Sequence, residues 1–129
     1  MNNPGLIKKF KAGATIAKNR IVKFGADDNH VIQGAAVSDS LIGVVDFPGP
    51  LSDTVLVEEG VDVVLNGVAE IKLGGTVVRG GPLTSDATGQ GVAAAPGAGV
   101  NNRIVGFAMA SGVTGDIIGV LLNPSTIQG

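Results

Sequence analysis

Turn signals break this sequence at short intervals, and the segments between them are too brief for helices of ordinary length. The apolar runs fall at residues 20–24, 30–37, 41–47, 54–57, 61–66, 68–73, 103–110 and 116–122. Between them stand Pro48-Gly-Pro50, Glu59-Gly60, Asn66-Gly67, Gly74-Gly75, Gly80-Gly81-Pro82 and residues 112–115. A typical helix needs roughly 11 residues, whereas a strand needs only about five. Runs of this length between glycine-rich bends read as strands. Asn66-Gly67 is the strongest local signal, because both residues accept positive φ and apolar runs flank them; it predicts a two-residue hairpin.

The composition of the runs agrees with their length. Their bulk is Val, Ile, Leu and Ala, with four Phe and neither Trp nor Tyr, and branched aliphatic side chains suit a pleated surface better than a helix. In Val68-Ala-Glu-Ile-Lys-Leu73, Glu70 and Lys72 share one face while Ala69, Ile71 and Leu73 share the other. The runs 63–65 and 117–122 are apolar on both faces, as in a central strand or a face buried against another subunit. A chain of 129 residues fits one domain and buries about two-thirds of its unfolded surface, enough to stand without cross-links. The expected fold is all-β: a small β-barrel or two-sheet sandwich, jelly-roll-like, spanning residues 13–129.

Residues 1–12 alternate poorly, and Pro4-Gly5 interrupts them; an extended N-terminal arm is expected there. A weaker pattern suggests duplication of 13–67 in 74–123. Gly13-Ala-Thr-Ile16 resembles Gly74-Gly-Thr-Val77, Leu41-Ile-Gly-Val44 resembles Ile104-Val-Gly-Phe107, and Val63-Val-Leu-Asn66 resembles Val120-Leu-Leu-Asn123, in the same order. Residues 93–99 are low-complexity and should form an exposed loop.

Charge is unevenly placed. The net charge of −2 divides into +6 before Asp27, from Lys8, Lys9, Lys11, Lys18, Arg20 and Lys23, and −8 from there onward. Such a basic segment is either a solvated edge or a contact for an acidic neighbour. Nucleic acid is a poor candidate partner, since the whole domain is acidic and no aromatics interleave with the bases. Leu6, Ile7, Lys8, Lys9, Phe10 and Lys11 are the candidate residues for contact with a neighbouring protein.

Catalytic and metal chemistry find little material. The single histidine, His30, could meet Ser38, Asp39 or Ser40 as a nucleophilic constellation. The sequence has no Gly-x-Ser-x-Gly elbow, and a histidine at the start of a strand is the simpler reading. With no cysteine, thiolate metal sites and disulfides are excluded. Asp27-Asp28-Asn29 could bind a calcium ion, but it lacks EF-hand spacing and is common turn chemistry. No catalytic residue, cofactor or metal is expected, and the chain reads as a non-enzyme. No export signal is expected from the first residues, where three lysines precede no long apolar run, and no stretch approaches the roughly 20 apolar residues of a membrane helix.

Taken in order, Gly13-Ala-Thr-Ile-Ala-Lys-Asn-Arg-Ile-Val-Lys23, Leu41-Ile-Gly-Val44, Val64-Leu-Asn-Gly-Val-Ala-Glu-Ile71, Gly80-Gly-Pro-Leu-Thr-Ser-Asp-Ala-Thr-Gly89, Ile104-Val-Gly-Phe-Ala108 and Gly115-Asp-Ile-Ile-Gly-Val120 resemble the capsid cement (decoration) proteins of tailed bacteriophages. The sequence departs from that pattern at Pro82, which follows a double glycine and disfavours a regular strand. The resemblance implies a structural virion protein on the capsid exterior, assembled in the host cytoplasm. It would bind the major capsid protein, stabilise contacts between capsomers and form a homo-oligomer, dimer or trimer, with no cofactor, nucleic acid or membrane partner. A phage fibre or surface-adhesion module binding a host receptor is the alternative; the lack of Trp and Tyr speaks against that one, because binding hot spots favour them.

Overall fold

The computed structural model describes residues 3–46 and 54–129, and the described residues form an all-β fold without helix. Thirteen strands follow in order: β1 (Asn3–Pro4), β2 (Ile7–Ala12), β3 (Ile16–Ala17), β4 (Arg20–Phe24), β5 (His30–Gln33), β6 (Leu41–Val45), β7 (Thr54–Val55), β8 (Gly60–Val64), β9 (Gly67–Lys72), β10 (Pro82–Ser85), β11 (Gly91–Ala93), β12 (Asn101–Ala108) and β13 (Ile117–Gln128).

The first half of the chain closes on itself. β2, β5, β4, β6 and β8 form a closed five-stranded barrel. In it β2 runs parallel to β5 and antiparallel to β8, and the other neighbours are antiparallel. Alternation along each strand sends Phe10, Ala12, Val22, Val31, Val45, Val61 and Val63 inward, and Ile16 and Val55 from the two-stranded β3–β7 ribbon plug the same core. The second half, joined at its edge by β1 from the start of the chain, forms a six-stranded sheet in the order β1-β9-β13-β12-β10-β11. A parallel bridge between Leu73 and Gly91 links its two sides.

The second core joins the halves. Ala69, Ile71, Leu73, Val77, Leu83, Val105, Ala108, Ile118, Val120 and Leu122 make one cluster with Ile21, Leu41, Val44 and Val64 from the outside of the barrel. Barrel and sheet therefore share a continuous apolar contact, and backbone bonds from Ile21 N–H to Gly89 O (2.8 Å) and from Lys72 N–H to Asn19 O (3.0 Å) seal its rim.

Three expectations are corrected. Residues 7–12 are extended, but as a hydrogen-bonded barrel strand rather than a segment lying off the domain. Ile7 to Lys11 pair residue by residue with Val64 to Gly60, because Phe10 and Ala12 need cover while Lys9 and Lys11 face out. Asn66-Gly67 does turn the chain, with Gly67 at φ +89°, but it is no hairpin. The strands on either side enter different sheets, since β8 closes the barrel against β2 and β9 finds six partners on β13. Pro82 opens β10 rather than breaking it, for the first residue of a strand can spare its N–H. Residues 93–99 are largely exposed, as expected.

Candidate interaction surface

β2 presents its two faces to different surroundings. Ile7, Lys9 and Lys11 alternate on the outside of the barrel, while Phe10 and Ala12 point in. Leu6 and Ile7 are about half exposed, at 54% and 48%, and Ile7 stands beside Lys9 and Lys11 on the outer face of the strand. Phe10 is the correction among the six candidates. It is buried in the barrel core, meets Phe24 edge-on at 6.0 Å between centroids, and offers nothing to a neighbour. Lys8 sits at the barrel mouth with its ammonium 4.3 Å from the centre of the Phe10 ring, a cation–π contact. Lys9 reaches its cross-strand partner Asp62 at 3.7 Å on the open surface, where such a pair contributes little.

The early basic stretch is thus partly answered within the chain. Lys23 pairs with Asp39 at 2.9 Å. Asp39 also accepts the Ala35 and Ala36 N–H groups at 2.8 and 2.9 Å, which folds residues 35–39 into a tight turn and ends β5 early. Burial alone would raise the Asp39 carboxyl; Lys23 and the two amides outweigh it and hold the group below the ordinary value. Lys18 and Arg20 instead line an open cleft with Ala17, Asn19, Thr54, Lys72 and Ile117. Among the described residues that line it are three cations and no carboxylate, so it favours an acidic group on a partner.

His30 does not gather Ser38, Asp39 or Ser40. Its Nδ1 lies 2.7 Å from Asp27 Oδ1 and its Nε2 lies 2.6 Å from Glu58 Oε2. Both ring nitrogens face carboxylates, an arrangement that suits the doubly protonated imidazolium. The hydrogen bond to Asp27 is the main cause that raises the His30 pKa, with Glu58 second. The same bond to His30, helped by the Asn29 amide, lowers Asp27. Asp27 Oδ1 also accepts the Asn29 N–H at 2.9 Å, which is the turn chemistry expected of Asp-Asp-Asn. This triad ties the β4–β5 turn to the turn before β8.

One surface was only half visible in the sequence. The run 117–122 is apolar on both sides, and the structure buries one side alone. Ile118, Val120 and Leu122 enter the core, while Ile117 and Leu121 stay half exposed at 50% and 47%. Leu121 lies in register with Phe107 on one neighbour and Val68 on the other, and Phe107 with Pro82 beyond. These four side chains form one row across β10, β12, β13 and β9, pointing away from the core. Met109, also exposed, hydrogen-bonds through its N–H to Gly119 O beside them.

No protein-family model matches the sequence, and no curated protein matches it. Among solved structures, the chain superposes on the N base of the head fibre gp8.5 in bacteriophage phi29 with a TM-score of 0.68. The alignment covers 96% of this chain and 98% of that one, at 13% sequence identity. The two share a fold. The likeness runs nearly end to end, so barrel and sheet belong to a single shared architecture rather than to one matching module.

Proposed function

We propose that this chain is a structural protein of a phage virion, seated on the outer surface of the capsid, where it stabilises contacts between capsomers. One observation carries the reading: a β architecture like that of a phage head-fibre base over almost the whole of both chains. The surface chemistry is suited to the task. Leu6, Ile7, Lys8, Lys9 and Lys11 combine apolar and cationic contacts on a rigid strand, and the cleft of Lys18, Arg20 and Lys72 adds a second cationic point. A protein shell with acidic outer loops is the complementary partner. Burying the half of Leu6 and Ile7 that is still exposed would contribute about 0.7–1.5 kcal/mol each before ordering costs.

A second reading is favoured by the same likeness: the chain is the base on which a fibre stands, and the contact with the head serves attachment rather than reinforcement. Cosedimentation with expanded, undecorated shells tests what both readings share. Saturable pelleting at a fixed number of copies per shell is expected, reduced by Ile7→Glu and Lys11→Glu. Failure to pellet with shells, together with binding to host cells, would overturn it.

A further inference from the structure

Lys18, Arg20 and Lys72 reach one cleft from the two sides of a seam. Lys18 and Arg20 lie at the turn into β4 and at the start of that barrel strand, whereas Lys72 ends β9 of the sheet and Ile117 opens β13 in register with it. Asn19 also lines the cleft and is fixed from three sides. Its N–H donates to Val45 O at 2.7 Å, its carbonyl accepts the Lys72 N–H at 3.0 Å, and its side-chain amide donates to Glu70 O at 3.0 Å. These bonds hold it at φ +62° and 4% exposure, in a left-handed conformation that Asn tolerates better than most residues. The cleft is therefore built into the fold, and its volume of about 370 Å³ falls within the range of small-ligand sites.

Its charges are unanswered. Among the described residues Lys9 and Lys23 have carboxylate partners and Lys8 has the Phe10 ring, but none of the three cleft cations forms an ion pair. Of the described acids beside the cleft in sequence or register, Asp116 accepts the Val113 N–H at 3.0 Å, and Asp46 and Glu70 have partners of their own. Arg20 is the least satisfied. Its Nη1 donates to Lys18 O at 3.2 Å, and its Nε is buried with no acceptor among the described residues. A buried donor left unpaired is costly, and a guanidinium held by one long bond is able to re-aim toward an oxygen pair that fits its planar fork. The three like charges also repel one another across the seam between barrel and sheet.

We infer that this cleft is a socket for a carboxylate side chain on an extended acidic segment of a partner protein. Arg20 is the anchor, and Lys18 and Lys72 close on the carboxylate from either half of the chain. Given the capsid reading above, on which the choice of partner rests, that segment belongs to the shell protein. A carboxylate seated there joins the barrel's Arg20 to the sheet's Lys72 and replaces their repulsion by two attractions, so occupancy fastens the seam. Ile117, half exposed, offers apolar surface to the methylenes of a glutamate. A nucleic-acid backbone is the poorer occupant, because the chain beyond its basic stretch is strongly acidic and repels a long polyanion.

NMR titration of the purified full chain with a capped pentaglutamate peptide tests the socket without shells. The amides of Lys18, Asn19, Arg20, Lys72 and Ile117 should shift and saturate below about a millimolar, and the melting temperature should rise with peptide. Arg20→Gln and Lys72→Gln, one from each half, should each weaken binding about tenfold or more. Without peptide both variants should melt at or above the wild-type temperature, the reverse of what a purely structural residue gives. Lys11→Gln, outside the cleft, should leave peptide binding unchanged. Shifts that grow without saturating, or binding indifferent to both cleft variants, would overturn the inference. Inorganic phosphate held as tightly as the peptide would overturn it too, since the cleft would then be a site for small free anions. Pelleting with shells that Arg20→Gln retains in full would remove the shell protein as occupant, whereas a wild type that takes the peptide but does not pellet would contradict the capsid reading and leave the socket standing.

Discussion

His30 holds two turns together by charge, and the sign of its effect on stability follows from its raised pKa. In the unfolded chain it titrates near the ordinary value of 6.5. Its contribution is therefore complete below that pH and disappears as pH rises through the higher folded value. Asp27, whose pKa is lowered, works the other way, and its share is lost only as pH falls below the carboxylate range. Melting temperature should decline as pH rises above the ordinary histidine value, and His30→Ala should flatten that decline. A wild-type profile without slope there would contradict the imidazolium clamp. Gly43 and Gly106 are a different kind of constraint. A methyl group on either would collide with the carbonyl oxygen of Val64 or Leu121 on the adjacent strand. Gly43→Ala and Gly106→Ala should each destabilise the fold by about 1–3 kcal/mol, read from urea midpoints, with comparable losses at the two sites if they are equivalent positions of one repeated unit.

At the scale of elements, much of the architecture was legible. The run 20–24 is β4 residue for residue, and most other strands begin within a few residues of their apolar runs, since period-two burial is what a pleated sheet requires. What the sequence hid was partnership. Asn66-Gly67 has the chemistry of a hairpin turn, yet β8 and β9 each gain more bonds elsewhere than they would from each other. β2 escaped because its inward positions, Phe10 and Ala12, are separated by lysine and preceded by Lys8, so the alternation looks polar. Pro82 looked like a breaker because the pattern cannot say that it comes first in its strand. Of the six candidate contact residues, five have accessible surface and Phe10 does not. Deleting residues 1–12 therefore removes a barrel strand and two core side chains; the truncated chain should lose its cooperative melting transition, and a truncation that melts like the wild type would contradict the place given to β2.

The whole molecule is a stiff object. Barrel and sheet share a core through Ile21, Val44 and Val64, and the five-stranded barrel leaves no long free edge among its described strands. Such a body transmits force without yielding, which is the property a capsid clamp needs and a fibre base also uses. The one sequence feature that pointed past the single unit was the repetition of short phrases in both halves. Those phrases are generic in β sequence and by themselves do not distinguish common origin from common composition.

Reinforcement of the shell is the central claim, and the temperature at which expanded, undecorated shells break open tests it most directly. With saturating protein bound, the disruption temperature should rise by several degrees, and Ile7→Glu should abolish most of the rise. Protein that binds in full while the shells break at an unchanged temperature would contradict the claim and leave attachment of a fibre as its work.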